Sequence, residues 1–309
     1  MRLLTFAREP DWNTRLGLLL DDDQVLDLWE EAQASGRELP FDPGNMISLI
    51  EAGPEGLEAV GDLAGGSQGH IVPLDSVHLM APIPRPRKNV FCIGWNYLEH
   101  FVERERIHKS GQELPSHPVF FSKTPTAVIG PHDPIPIDPL VSDKIDWEVE
   151  LAVVIGLGGK NIREEEAIHH VFGYTVLNDV SARDIQRRHG GQWLKGKSLD
   201  GQCPMGPWIV TADELDPNNL RVITRVNGAT KQDSNTMHFY FKIPRILAEL
   251  SLGMTLEAGD IVSTGTPEGV GIARNPPEFL KPGDLLETEI EGIGTLRNPV
   301  QQADESKGD

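Results

Sequence analysis

Positive charge is scarce in this chain. Its 28 lysines and arginines face 47 aspartates and glutamates, for a formal net charge of −19. That balance argues against coating nucleic acid or an anionic membrane, and an anionic small molecule would need a local basic pocket. Cysteine is nearly absent. Cys92 and Cys203 are the only two. They form no CxxC pair, and no His/Cys cluster has the spacing of zinc ligands. Two free thiols suit a reducing cytoplasm, and nothing in their placement suggests a disulfide. Long apolar runs are missing too, since nothing approaches the roughly 20 residues of a membrane-spanning helix. The opening "MRLLTFAREPDW" lacks the apolar core of a signal peptide. A cytoplasmic location is therefore expected. Aromatic residues make up 6%, without a sugar-stacking stripe, which disfavours a two-carboxylate glycosidase. No GxGxxG opens a helix, so a Rossmann domain is disfavoured as well.

What is present suits a folded, β-rich protein. The 309 residues are 39% hydrophobic, enough for one large domain or two. Residues 1–80 read as a small α+β module. "RLLTFA" and "RLGLLLDDDQVLDL" read as short strands, and "MISLIEAGPEGLEAVGDLAGG" as helix around a Gly-Pro break. Residues 81–89, "APIPRPRKN", read as a Pro-rich connector. From 90 to 300 strands dominate, punctuated by glycine turns, as one catalytic domain. Residues 90–103, "VFCIGWNYLEHFVE", read as a buried strand, a Gly turn and a short helix, and three more short helices are expected beyond 119. One lies in "REEEAIHHVF". Another lies in "SARDIQRRHG", where Ser181 three residues before Asp184 makes a capping-box pattern. The third lies in "HFYFKIPRILAELS", where Pro244 should break or start it. Residues 104–118 are polar and broken by Pro and Gly, a long loop of the kind that often carries function. Residues 301–309 read as a flexible tail. The fold class is α+β, rich in β.

The stretch "KIDWEVELAVVIG" carries the chemistry. Asp146, Glu148 and Glu150 alternate with Trp147, Val149 and Leu151. A period of two marks a strand, so three carboxylates stand on one face. Such alternation most often marks a solvated face. Here the same face continues as Ala152 and Val154, and "LAVVIG" is apolar on both sides. Glu150 therefore sits where the strand enters the core. Partly desolvated carboxylates roughly 7 Å apart repel one another, and a cation removes the conflict. Asp179 in "YTVLNDVSARD" offers a third oxygen ligand, with a turn or cap role as an even alternative. An all-carboxylate set favours Mg²⁺ or Mn²⁺, with Ca²⁺ as a lesser substitute. Three protein ligands leave positions for water and substrate. His100 and Glu103 share a helix face in "NYLEHFVE", either as an oriented general base or as a surface pair. Lys197 in "LKGKSLDGQCP" is either an oxyanion stabiliser or a solvated turn lysine. "STGTPEGVG", residues 263–271, has three glycines that let backbone N–H groups approach a ligand.

In this order the blocks resemble the fumarylacetoacetate hydrolase family. "GWNYLEHFVE" is similar to its G-x-N-Y-x-x-H-x-x-E, "DWEVELAVVIG" to its E-x-E-L metal strand, and "NDVSARD", "KSLDGQCPMGPW" and "STGTPEGVG" to its later blocks. The likeness runs from about Val90 to Pro299, more loosely over 1–80. It implies the family's mixed β-sandwich/β-roll fold and a homodimer. It implies Mg²⁺ or Mn²⁺ held by Glu148, Glu150 and Asp179, and a water-activating His100–Glu103 dyad assisted by Lys197. The loop at 104–118 resembles the family's lid. Candidate grips on a small anionic keto acid are Lys123, Arg183, Gln186 and Thr266. Trp95 stands where many members carry Arg, Lys or a small residue, which points to a different, apolar substrate tail. The leading expectation is hydrolysis of a C–C bond in a 1,3-diketo acid. The alternatives are an oxaloacetate-type decarboxylase or a hydroxymuconate/heptadienedioate isomerase on the same site. A non-catalytic, cation-stabilised binding protein is the alternative of another class.

Overall fold

The computed structural model describes residues 1–21, 23–66, 69–99 and 114–303. The strand Val149–Ile155 is its axis, buried at every position. It lies between two cores. Ala152 and Val154 pack on one side with Cys92, Leu177 and Cys203. Val149, Leu151, Val153 and Ile155 pack on the other with Tyr174, Ile246 and Leu247. A strand covered on both faces needs the continuous apolar run seen in "LAVVI". Both cysteines are free and buried.

This strand belongs to a twelve-stranded sheet. Its path runs Ile71–Pro73, Gln24–Asp27, Arg15–Asp21, Arg2–Ala7, Cys203–Thr211, Val171–Asn178, Val149–Ile155, Ile261–Ser263, Val90–Gly94, Val119–Lys123. Two short strands, His78–Leu79 and Val128–Ile129, attach beside that path. A five-stranded sheet runs Ala229–Asn235, Arg221–Val226, Leu285–Ile290, Gly294–Gln302, Ile135–Ile137. A third core, with Ile135, Trp147, Val180, Ile185 and Leu286, lies between this second sheet and the start of the axial strand.

The N-terminal residues form a small α+β region, and the large sheet crosses without a break from it into the rest. Arg2 and Leu3 pair with Val210 and Ile209. The helix Met46–Gly65 is interrupted at Gly53, where φ is 58° and ψ is −135°. Proline 54 restricts the residue before it, and glycine adopts that backbone freely. The 81–89 segment is packed rather than loose. Ala81 and Ile83 are buried, and the Thr5 hydroxyl donates to the Pro82 carbonyl at 2.7 Å. At the other end, Gln301 and Gln302 are part of a strand paired with Pro136 and Ile137. Their backbone hydrogen bonds hold the start of the expected tail, and 304–309 lie outside the described residues.

The three helices expected beyond 119 form with one correction. Glu164–His170 is a 3₁₀ helix, and Ile243–Ser251 carries Pro244 in its first turn. The helix Arg183–Arg188 follows Ala182 with no side-chain cap. Ser181 does not cap it, because Ser181 pairs with Asp146 and its hydroxyl donates to the Asp179 carbonyl. No helix among the described residues is long and apolar enough to cross a membrane.

Candidate metal centre

Strand pairing brings the acids together. Val149 lies opposite Asn178, so the ends of both strands coincide. The Asp179 N–H then donates to the Glu148 carbonyl at 2.8 Å, and the Glu148 N–H donates to Asn178 Oδ1 at 3.0 Å. Glu148, Glu150 and Asp179 each offer a carboxylate oxygen, all within 4.8 Å of one another and all buried. Asp146 heads the row, in the two-residue strand Ile145–Asp146, which keeps the pairing register of Val149–Asn178, but it has a different task. Its carboxylate accepts from the N–H groups of Trp147, Gly271 and Ile272 and from Arg183 Nε. Asp146 thus ties the 263–273 segment to the site and is not a metal donor.

Glu150 is held by neutral donors alone. Its Oε2 accepts from the Ser263 hydroxyl at 2.5 Å and from the Gly265 N–H at 2.9 Å. Burial first, then the charges of Asp179 and Glu148, push its carboxyl well above the usual carboxylate range. A cation among these oxygens would reverse that shift. Three hard oxygen donors without His or Cys suit Mg²⁺ or Mn²⁺. The residues therefore fit a divalent ion.

Three basic side chains surround the acids. Lys197 Nζ lies 2.8 Å from Glu148 Oε2 and 2.6 Å from Asp179 Oδ2. Burial pulls its pKa down, but the Asp179 and Glu148 charges outweigh that, so it is raised overall and the ammonium persists. Arg183 spans Asp146 and Glu148, with Nη1 2.6 Å from Glu148 Oε1. Lys123 Nζ lies 2.8 Å from Asp179 Oδ1 and 3.0 Å from the Val180 carbonyl. With every acid ionised, Asp146, Glu148, Glu150 and Asp179 would outnumber Lys123, Arg183 and Lys197 by one, and the raised Glu150 carboxyl favours a proton in place of that charge until a cation binds.

A cavity of about 530 Å³ opens onto this cluster, and Glu148, Glu150, Arg183, Gln186, Lys197 and Thr266 line it. Of the expected substrate grips, Lys123 does not line it. Its side chain is fully buried behind Asp179, where its amine holds a metal ligand. His100, Glu103 and residues 104–113 of the expected lid lie outside the described residues. Aromatic rings line the same cavity, with the Lys197 ammonium 5.1 Å from the Phe121 ring centre. Trp95, at φ 58°, meets Trp193 edge-on with centroids 5.1 Å apart, and Trp193 meets Phe121 at 5.2 Å. Gly94 makes room for this, since a Cβ there would come within 2.5 Å of the Trp193 ring. Trp193, Asp146 and Ser263 are site residues that sequence reasoning did not assign. Trp193 gives no signal in the polar stretch "RRHGGQW", whereas Ser263 opens the glycine block already singled out.

Comparison with known proteins agrees with this geometry. The family profile for the fumarylacetoacetate (FAA) hydrolase C-terminal region matches residues 89–301. The oxaloacetate tautomerase YisK of Bacillus subtilis is 43% identical over 293 residues, covering 92% of this chain and 95% of that protein. The structure of a fumarylacetoacetate hydrolase from Exiguobacterium antarcticum superposes with a TM-score of 0.80 at 37% identity, covering 98% of this chain and 100% of that one. The maleylpyruvate hydrolase of Sphingobium sp. SYK-6, solved with manganese(II) and pyruvate, gives a TM-score of 0.77 at 31% identity, with coverage of 98% and 100%. With a profile match over most of its length and these relatives, the chain belongs to the fumarylacetoacetate hydrolase family.

Proposed function

We propose that this protein is a Mg²⁺- or Mn²⁺-dependent enzyme that interconverts the keto and enol forms of a small 2-keto acid of the oxaloacetate type. The observation that carries this reading is the Lys197 ammonium, buried in the cavity wall and bonded to two of the three metal-ligating acids. A bound divalent cation would act as a Lewis acid toward the oxygen that gains charge on enolisation. Lys197 holds a proton beside that oxygen pole. Arg183, through Asp146 and Glu148, keeps the acids in register. Gln186 and Thr266 orient the substrate's anionic head. Tautomerisation needs no water activated as a nucleophile: solvent takes the proton from the carbon beside the carbonyl, the Lys197 ammonium gives one to the oxygen that gains charge, and solvent returns a proton to the lysine. The tautomerase name of the Bacillus subtilis relative supports the same choice.

Hydrolysis of a C–C bond is the second reading. It is favoured by the likeness to the maleylpyruvate hydrolase structure and requires water activation by His100 and Glu103. The aromatic wall of Trp95, Phe121 and Trp193 supports acceptance of acids with a larger, apolar tail. The test measures enol absorbance of oxaloacetate, carbon dioxide release, and cleavage of aroylpyruvates, with and without Mn²⁺. Mn²⁺-dependent tautomerisation that survives Glu103→Gln is expected. Efficient acylpyruvate cleavage without accelerated tautomerisation would replace this reading with the second. A homodimer, checked by light scattering, and a cytoplasmic location belong to the same proposal.

A further inference from the structure

Gln232 does not line the cavity, yet it connects two parts of the site. It is the buried residue in the strand Ala229–Asn235, between the partly buried Lys231 and the exposed Asp233. Its Oε1 accepts from the Val149 N–H at 3.1 Å and from the Thr224 hydroxyl at 2.9 Å. Its Nε2 donates to Thr266 Oγ1 at 2.9 Å and to the Pro267 carbonyl at 2.9 Å. All four bonds an amide can make are made. The two ends of an amide are often hard to tell apart, but not here. Val149 N–H can only donate and the Pro267 carbonyl can only accept, so the NH₂ must face Thr266.

The Thr266 hydroxyl therefore accepts on its Gln232 side. Its own proton meets no acceptor among the described residues, and the residue lines the cavity with Glu148 and Glu150. We infer that Gln232 is a positioning residue, whose amide holds the Thr266 hydroxyl as an acceptor and so turns its proton toward an oxygen of the bound anionic head group. Val149 lies between Glu148 and Glu150, so one side chain sets both the metal strand and the donor that faces it. The ligand class is a carboxylate or enolate oxygen adjacent to the cation. This rests on the keto-acid reading above.

The test uses the full chain loaded with Mn²⁺ and oxalate as the probe, with affinity measured by calorimetry. Thr266→Val should weaken oxalate roughly tenfold or more, the value of one hydrogen bond to a charged group. Thr266→Ser should restore it, and neither should change Mn²⁺ affinity. Gln232→Glu keeps an oxygen toward Val149 and Thr224 but removes the donor, so Thr266 is free to turn its proton away from the cavity. It should cost a similar factor, and the double variant Gln232→Glu with Thr266→Val should cost no more than either alone. A purely structural role for Gln232 would make the two costs add, and that outcome overturns the inference. Equal oxalate affinity in Thr266→Val and Thr266→Ser overturns it too, and this comparison stands even if Gln232→Glu fails to fold. If the wild type binds no oxalate with Mn²⁺, the keto-acid reading falls and this inference with it. If the wild type binds and Thr266→Val binds equally, only the inference falls.

Discussion

Two charge clusters among the described residues, the metal centre and a partly exposed one around Asp27 and Arg15, are built on opposite terms. In the N-terminal region Arg15 reaches Asp11, Asp27 and Glu30, and Arg8 reaches Asp27 and Glu30. Asp27 also caps the helix Leu28–Ser35, accepting from Trp29 and Glu30 N–H at 3.1 Å each. Every acid there has a guanidinium, whose planar fork serves several carboxylates at once. At the metal centre Glu150 is different. Both its hydrogen bonds come from neutral donors, Ser263 and Gly265. The first cluster closes on itself and contributes to stability. The second retains repulsion that a proton on Glu150 or a bound cation must relieve, and frustrated groups of this kind concentrate at functional sites.

The sharpest way to break this comparison is Glu150→Gln. The amide oxygen still accepts from Ser263 and Gly265, but the third charge is gone. Activity should fall by about 10³-fold or more and Mn²⁺ binding with it, because the cation supplies several kcal/mol of charge stabilisation. The metal-free protein should melt no lower than wild type. A variant that kept its turnover would remove the basis for separating the clusters. Asp27→Asn is the mirror experiment. It keeps the helix cap but leaves Arg15 and Arg8 with one acid fewer, and breaking a buried pair costs about 3–5 kcal/mol at the upper end. Urea unfolding should show that loss, with kcat/KM per folded molecule unchanged. Next in size is the effect of the ion. Mn²⁺ at about 100 times its Kd should add about 2.7 kcal/mol to the stability of wild type and of Asp27→Asn alike. It should add nothing to Glu150→Gln.

Glu148, Glu150 and Asp179 were legible because local rules suffice for them. A strand's period places Glu148 and Glu150, and a turn after an apolar run places Asp179. Asp146 was read in the row but its task was not legible. One pairing register runs from Asp146–Ser181 to Val149–Asn178, and Arg183 reaches both Asp146 and Glu148, but the Gly271 and Ile272 N–H groups that take up its carboxylate are remote in sequence. Lys123 was read as a substrate contact because nothing in "FFSKT" announces that its partner is Asp179, a residue remote in sequence. Gln232 was invisible for a related reason. It lies in "ATKQDSN", a polar strand, and only the folded segment 264–270 gives its amide a purpose. The family's fold was legible from ordered motifs. The continuous sheet across Arg2–Ala7 and Cys203–Thr211 was not, since strand pairing across so much sequence leaves no local mark.

The smallest predicted effect is on stability against pH, and here the two clusters should differ in sign. Burial pushes the Glu30 carboxyl up, but hydrogen bonds from Arg15 and Arg8 outweigh it, so its pKa is lowered. The Asn13 N–H, assisted by Arg15, likewise holds Asp11 below its ordinary value against burial. Acids with depressed pKa contribute stability that is present above their unfolded values, about 3.9–4.3, and is lost as pH falls through the folded ones. Glu150 runs the other way. Its raised pKa means that the folded metal-free protein holds a proton the unfolded chain has released, so stability falls as pH rises from the unfolded value through the folded one. Urea midpoints of chelated wild type from pH 3.5 to 8 should therefore decline at both ends. Glu30→Gln should make the decline shallower on the acid side alone, since Asp11 and other acids with lowered pKa remain. Glu150→Gln, or saturating Mn²⁺ on the wild type, should flatten the side above pH 5 alone. Parallel curves for wild type and Glu150→Gln above pH 5 would mean that the metal acids are as well compensated without an ion as the N-terminal ones are, and the distinction between the two clusters would fail.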